Sequence, residues 1–183
     1  MNGNEMKKIE TKFEGLYIIE GNIFEDLRGI FLKTFHQSSF LELGLETNYK
    51  EKFYSRSHKN VIRGMHFQIP PFDHIKVVNV LQGSILDVLV DIRKTSLTYK
   101  QCFSIELNDC DGRFLYIPIG FAHGFKALTD NAIVEYNHTA EYNKESDFGI
   151  RWDSIGFDWQ LVNPIISERD TVFPTLDDYQ SPF

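Results

Sequence analysis

The strongest structural constraint in this chain is a pair of apolar segments joined by a short polar turn, residues 77–92. The turn is Gln82-Gly83-Ser84, which is typical of a β-hairpin. In the second segment, one face of an extended strand would carry Leu86, Val88, Val90 and Ile92. The other face would carry Ile85, Asp87, Leu89 and Asp91. This two-residue period predicts a sheet, not a helix, at the centre of the fold.

Similar short segments recur along the chain between turn residues. They lie at residues 16–20, 30–35, 49–55, 61–68, 75–81, 103–107, 113–117, 125–128 and 132–139. The one convincing helix before the C-terminal region is at residues 39–43, with Ser38 as its N-cap and Gly44 at its end. About nine or ten regularly spaced strands predict a mainly β protein, a sandwich or barrel with a few short helices.

Composition sets the limits on class and location. The chain has 183 residues and 42% hydrophobic residues, which predicts one domain with a sizeable core. Residues 1–12 are polar and are expected to be frayed, and the irregular, aromatic residues 145–183 are expected to wrap over one end. The net charge of -7 argues against a nucleic-acid partner. The sequence has no signal-peptide-like or membrane-spanning run and two cysteines without disulfide or metal spacing, so we expect a soluble cytoplasmic protein.

A motif at residues 112–123 resembles the second sequence motif of the cupin double-stranded β-helix. It consists of Gly112, five residues, Pro118, one residue, Gly120, two residues and His123. Metal-binding cupins also need a His-x-His followed by a glutamate, whereas this chain has His66-Phe67-Gln68. Because that ligand set is incomplete, the sequence favours a pocket without a metal.

Two polar residues stand out on predicted strands. If residues 61–68 are extended, one face carries Ile62, Gly64, His66 and Gln68. In the next strand Lys76 shares a face with Val78 and Val80. A lysine on a valine face either lies at a strand end and extends to solvent, or has a function in a pocket.

Four segments in this order resemble the dTDP-4-dehydrorhamnose 3,5-epimerase family. They are VIRGMHFQIPPFDHIKVVNVLQGSILDVLVDIRKTSLTY, YIPIGFAHGF, the strand containing Tyr136, and ISERD at residues 166–170. The resemblance extends from about residue 13 to residue 174. It implies a cupin jelly-roll core, no metal or other cofactor, and a homodimer that shares its nucleotide sites. It also implies a nucleotide-activated 4-keto-6-deoxyhexose substrate.

The resemblance assigns catalytic roles to four residues. His66 matches the base, and Asp170 matches the carboxylate that orients it and stabilises the imidazolium. Lys76 matches the residue at the enolate oxygen. Tyr136 matches the acid on the opposite face of the sugar, which suits a phenol with an ordinary pKa of about 10. Taken alone, Tyr136 would be read as a core tyrosine and Asp170 as a turn aspartate, and only their order in the four segments assigns them to a site.

Substrate-binding residues are implied in the same way. Arg63 and Arg169 match cations that bind the pyrophosphate, and Arg28 matches an arginine that reaches the nucleotide from the partner subunit. Gln68 and His123 are candidate pocket residues, although His123 could be purely structural. Lys33, Glu51 and Phe53 depart from the family, which usually has an acidic residue, Gln and Asn there. These departures put the thymine base and the sugar identity in doubt.

Three functions remain open from the sequence. The first is inversion at C3, C5 or both by proton abstraction and re-addition, which is the function that the retained residues favour. The second is a sugar-nucleotide ketoisomerase on the same scaffold, which would move the carbonyl. The third is a carbohydrate-binding cupin without catalysis, which has no need for an oriented base beside a buried ammonium.

Overall fold

A computed structural model describes residues 6–183, which form two antiparallel sheets, a separate hairpin and short helices. The strands are β1 Lys7–Glu10, β2 Tyr17–Glu20, β3 Ile23–Asp26, β4 Gly29–Leu32, β5 Glu51–Ser57, β6 Ile62–Gln68, β7 Lys76–Gln82, β8 Ser84–Asp91, β9 Cys102–Asn108, β10 Arg113–Ile117, β11 Phe121–Ala127, β12 Ala132–His138 and β13 Asp147–Gly149. The α-helices are α1 Gln37–Glu42 and α2 Glu168–Thr171, and a 3-10 helix lies at Trp152–Ser154.

The two sheets pack face to face around a shared apolar core. One has the order β1-β2-β10-β7-β12-β5 and the other β13-β6-β11-β8-β9. Val78 and Val134 of the first sheet are buried in one cluster with Leu89 and Phe125 of the second. This arrangement confirms the predicted cupin jelly roll. In the part of the chain described, no helix is long and apolar enough to cross a membrane.

The outer faces of both sheets are also covered. On the five-stranded sheet, Val88 and Val90 pack against Ile155 and Trp159 of the C-terminal segment. On the six-stranded sheet, Phe40 of α1 is fully buried in a further apolar cluster. The alternation predicted for β8 is confirmed, because Val88 and Val90 face outward while Leu89 lies in the inner core.

Two local predictions are wrong. The sequence predicts a frayed N-terminus at residues 1–12. Residues 1–5 lie outside the described part, but β1 pairs with β2 along its whole length. Polar residues suit such an edge strand, which is held by backbone hydrogen bonds and not by an apolar face. Helix α1 begins earlier than predicted, with His36 and not Ser38 at its N-cap.

Candidate active site

A cavity of about 380 Å³ lies between the two sheets. Most of the predicted site residues line it, namely Glu51, Arg63, His66, Gln68, Lys76, His123, Tyr136 and Arg169. The six-stranded sheet contributes Lys76 and Tyr136, and the five-stranded sheet contributes His66 and His123. A ligand held in this cavity would therefore have one sheet on each side.

The face predicted for β6 is wrong in one respect. Ile62 and His66 do not share a face, because Ile62 packs in the outer cluster with Met65 and Phe67. His66, four residues further along, lines the cavity. A regular strand would keep residues i and i+4 on one face, so the alternation is interrupted between them.

The interruption lies at Gly64. Its φ is +138°, and a Cβ there would lie 2.5 Å from the Cα of Gly124 on β11. The pairing of β11 with β6 shifts register at the same point, between His123 and Phe125. Only glycine allows this conformation and close approach, and the result is that His66 turns toward the cavity.

His66 is bound to a buried carboxylate behind it. Its Nε2 lies 2.7 Å from Oδ1 of Asp170, whose side chain is 4% exposed. The backbone N–H of Gly64 donates to the other carboxylate oxygen at 3.3 Å. Burial acts to raise the pKa of Asp170, but hydrogen bonds from His66, Gly64 and Ser167 outweigh it and lower the pKa. The carboxylate is therefore ionised and fixes the imidazole, leaving Nδ1 as the ring nitrogen for a ligand.

Lys76 is buried on the valine face of β7, so the alternative that its side chain extends to solvent is wrong. Its Nζ donates to the backbone carbonyl of His66 at 2.9 Å. Burial lowers the pKa of Lys76 to about 8, although the charges of Asp147 and Asp87 act in the opposite direction. The ammonium form still predominates at neutral pH, so the cavity contains a cation that a developing oxyanion can approach.

Tyr136 lies on the inward face of β12, in the core cluster with Ala132 and Val134, as predicted. Burial raises the pKa of its hydroxyl far above the ordinary value, and the Asp87 charge adds to the effect. The phenol is therefore protonated at neutral pH and can donate its proton. The ring of Phe53 stacks on it, with 4.9 Å between centroids and 19° between planes.

His123 is bound to a carboxylate that the sequence analysis did not assign. Its Nε2 contacts both oxygens of Asp87, at 3.0 and 2.9 Å, and both side chains are buried. Burial raises the pKa of Asp87, and the nearby His123 and Lys76 oppose that shift. The sequence could have pointed to Asp87 through its position among apolar residues on one face of β8, because a buried carboxylate needs a partner.

The predicted pyrophosphate ligands lie at the wall of the cavity with different partners. Arg63 donates through Nε to Ser57 Oγ at 3.0 Å. Arg169 forms an ion pair with Asp147, 2.7 Å from Nη2 to Oδ2, and lies over the Phe173 ring. Both arginines are fixed by neighbours and leave part of the guanidinium available to an anion.

Gln68 and Glu51 also line the cavity. The Gln68 amide nitrogen donates to the carbonyls of Phe72 and Glu141, at 2.8 and 3.1 Å. Its oxygen accepts from the N–H of Asn143 at 2.7 Å. Gln68 therefore braces the surrounding loops, and its role in substrate binding stays a prediction. Glu51 is paired across the strands with His138, 4.0 Å from Oε2 to Nδ1.

Three predicted residues do not line this cavity, namely Asp170, which lies behind His66, and the residues Arg28 and Lys33. Arg28 lies at the tip of the β3–β4 hairpin, where its side chain is 90% exposed and paired with Asp26. Lys33 follows β4 and is half-buried. Arg28 and Lys33 therefore do not meet the cavity of their own chain, and the partner-subunit role of Arg28 stays a prediction.

The donor set of the cavity bears on metal binding. Among residues 6–183, no group of three or more His, Cys, Asp or Glu side chains is arranged to hold a metal ion. His66 and His123 face each other across β6 and β11 but each is bound to its own carboxylate. One ring nitrogen of each histidine is therefore bound to a separate carboxylate, and the two rings do not form a shared ligand set.

The geometry suits proton transfer at a carbon beside a carbonyl. A carboxylate-backed imidazole lies on one sheet, and a protonated phenol lies on the facing sheet. A buried ammonium beside them can stabilise an enolate oxygen. Removal of a proton from one face and delivery of a proton to the other would invert the carbon.

Comparison with known proteins gives a consistent result. The family model described as dTDP-4-dehydrorhamnose 3,5-epimerase matches residues 10–178. The dTDP-4-dehydrorhamnose 3,5-epimerase of Methanothermobacter thermautotrophicus is 44% identical over 171 residues, covering 91% of this chain and 92% of that protein.

Solved structures agree. The Bacillus anthracis dTDP-4-dehydrorhamnose 3,5-epimerase, crystallised with TDP and PPi bound, has a TM-score of 0.91 and 36% identity, covering 94% of this chain and 100% of that one. The dTDP-6-deoxy-D-glucose-3,5-epimerase of Legionella pneumophila, in complex with dTDP-4-keto-L-rhamnose, has a TM-score of 0.90 and 36% identity. It covers 96% of this chain and 95% of that one.

Proposed function

This chain belongs to the dTDP-4-dehydrorhamnose 3,5-epimerase family, and we propose that it epimerises a nucleotide-activated 4-keto-6-deoxyhexose at C3, C5 or both. The observation that carries the proposal is that His66 and Tyr136 line the cavity from opposite sheets. Lys76 lies on β7, and its ammonium donates to the backbone carbonyl of His66 on β6. His66 takes the proton from the carbon beside the ketone. Lys76 stabilises the enolate oxygen, and Tyr136 returns a proton from the other face.

Asp170 and the two arginines complete this assignment. Asp170 orients the imidazole and balances its charge after proton abstraction, as its 2.7 Å contact suggests. Arg63 and Arg169 bind the diphosphate, because partly exposed guanidinium groups at the cavity wall suit phosphate oxygens. Two relatives support a nucleotide-sugar ligand, because one has TDP and PPi bound and the other has dTDP-4-keto-L-rhamnose bound.

The proposal includes a homodimer in which the β3–β4 hairpin reaches the partner. This hairpin carries exposed apolar side chains, among them Phe24 at 49% and Phe31 at 60% exposure. A two-stranded hairpin is marginally stable alone, and an exposed apolar patch is typical of an interaction surface. Arg28 at its tip is then available to a nucleotide in the partner's cavity.

Incubation of the purified protein with dTDP-4-keto-6-deoxyglucose, in the presence of a chelator, tests the proposal. An epimerase returns a 4-keto sugar with inverted C3, C5 or both, which proton coupling constants in the NMR spectrum identify. A ketoisomerase would move the carbonyl to C3, and a binding module would return the sugar unchanged. A moved carbonyl or an unchanged sugar would reject epimerisation. Activity that is lost with the chelator and restored by a divalent ion would reject the metal-free mechanism.

A further inference from the structure

Two histidines outside the proposed catalytic set form a stacked pair in the cavity wall. The rings of His74 and His138 have centroids 4.2 Å apart and planes inclined by 27°. Both side chains line the cavity, and the residues are 7% and 8% exposed. The Nε2 atom of each ring is buried and has no hydrogen-bond partner among the described residues. Buried polar atoms without partners are rare and costly, so this pair indicates a place for a ligand group.

The contacts of His74 define which ring nitrogen carries the proton. Its Nδ1 lies 3.1 Å from the carbonyl of Phe72 and 3.2 Å from the amide nitrogen of Gln68. Both amide hydrogens of Gln68 already point to carbonyls, those of Phe72 and Glu141. The His74 Nδ1–H therefore donates to Phe72, and Nε2 is left as a bare acceptor.

The pair is neutral at physiological pH. Burial and the Lys76 charge lower the pKa of His74 to about 4. Burial, followed by the charges of Lys76 and the neighbouring histidines, also lowers the pKa of His138. On the His138 ring, Nδ1 faces Glu51, which favours a proton on Nδ1 and an acceptor at Nε2. The cavity wall thus offers hydrogen-bond acceptors, which select for a donor on the ligand.

The histidine pair lies next to Lys76, the residue proposed to contact the ketone oxygen of the substrate. His138 is the cross-strand partner of Lys76, and His74 precedes Lys76 by two residues. Side chains at paired positions on neighbouring strands lie on the same face. A sugar whose C4 oxygen meets Lys76 would therefore bring a substituent of the next carbon toward the histidines. In a 4-keto-6-deoxyhexose the hydrogen-bond donor on a carbon next to C4 is the C3 hydroxyl.

We propose that His74 and His138 form the subsite for the C3 hydroxyl, with His74 Nε2 accepting its hydrogen bond. This specificity subsite rests on the proposed function, because it takes the sugar orientation from the contact of Lys76 with the ketone oxygen. It fixes the C3 side of the ring against β7 and β12. The C6 methyl group, which cannot donate a hydrogen bond, then lies away from the pair.

Binding measurements with unreactive ligands test the subsite. We expect calorimetry of the wild-type protein to show dTDP-glucose binding at least about tenfold more tightly than dTDP-3-deoxyglucose. His74→Phe keeps a flat ring in the stack but removes the acceptor. This variant should bind both sugars about equally and bind dTDP as the wild type does, while His74→Gln should retain part of the preference.

Equal binding of the two sugars by the wild type would overturn the proposal, as would a full preference in folded His74→Phe. The wild-type comparison needs no variant, so a misfolded variant leaves the test intact. The result is also independent of catalysis. Wild-type epimerisation without hydroxyl preference rejects only the subsite, whereas hydroxyl preference without epimerisation rejects the catalytic proposal.

Discussion

Burial sets the protonation state of the residues that the proposed reaction needs. The Tyr136 pKa is raised and the Lys76 pKa is lowered, in both cases chiefly because the charged form loses water. Tyr136 therefore keeps its proton at neutral pH, and Lys76 is an ammonium close to its titration range. The Asp170 carboxylate is different, because its hydrogen bonds keep it ionised despite burial. Each group is thus in the form that its proposed role requires near neutral pH.

Asp170→Asn tests the orienting role of the carboxylate. The amide is nearly isosteric but lacks the charge that stabilises the His66 imidazolium, so we expect kcat to fall by about 10²-fold or more. Binding of dTDP should change little, because Asp170 lies behind His66 and does not line the cavity. Steady-state kinetics and calorimetry measure the two effects. Equal losses of turnover and dTDP affinity would make Asp170 a structural residue.

The pH dependence of kcat/KM tests the charge on Lys76. The Lys76 side chain carries a positive charge below its pKa and is a neutral amine above it. Activity should therefore fall as the pH rises through about 8. Lys76→Arg, which stays charged, should show weaker activity without this alkaline decline. A wild-type profile that is flat from pH 7 to pH 10 would show that the ammonium is not required.

At the scale of strands, regular periodicity predicted correctly which side chains share a face on β7, β8 and β12. It failed at β6, because Gly64 interrupts the alternation through a close approach to Gly124 that no local pattern reveals. The edge strands β1 and β13 were missed, since short strands without an apolar face give no periodic signal.

The same limit applies to the cavity. The sequence, through its family resemblance, identified His66, Lys76, Tyr136 and Asp170. It did not identify the His74–His138 pair, because these rings meet only through the pairing of β7 with β12. The sequence put Asp87 on the same face of β8 as Leu89, but its contact with His123 depends on the pairing of β8 with β11. Pairings between distant segments are what a single sequence leaves undefined.

Strand β5 carries the prediction on nucleotide preference. Glu51 and Phe53 line the cavity beside His138 and Tyr136, and the family resemblance implies polar amides at these two positions. Loss of amides that would pair with a base should weaken discrimination between bases. We expect calorimetry with dTDP, UDP, CDP and GDP to show less than hundredfold preference for dTDP. A preference of a hundredfold or more, about 2.7 kcal/mol, would show that thymine recognition is intact.

At the scale of the whole molecule, the β3–β4 hairpin forms a small sheet of its own, and most of its residues are exposed. Its apolar side chains include Leu27, which is fully exposed, as well as Phe24 and Phe31. The two phenylalanines contact each other, with centroids 6.3 Å apart, and leave one apolar surface uncovered. A shared-site dimer would cover that surface and deliver Arg28 to the second cavity.

The double variant Phe24→Ser, Phe31→Ser tests this assembly. We expect analytical ultracentrifugation to give a dimer for the wild type and a monomer for the variant, because the apolar contact area is lost. The variant should also bind dTDP more weakly, since Arg28 no longer reaches the partner. A matched variant at another exposed apolar residue, Val172→Ser, should remain dimeric. A monomeric wild type would refute the shared site.

The most direct test of the account is deuterium incorporation into dTDP-4-keto-6-deoxyglucose in D₂O, followed by NMR. The wild type should exchange the proton at C3, C5 or both, the carbons that it inverts. Folded His66→Ala should exchange it at least about 10²-fold more slowly, because the positioned base is gone. Near-wild-type exchange by folded His66→Ala would contradict the assignment of His66 as the base, and no exchange by the wild type would contradict the proposed reaction itself.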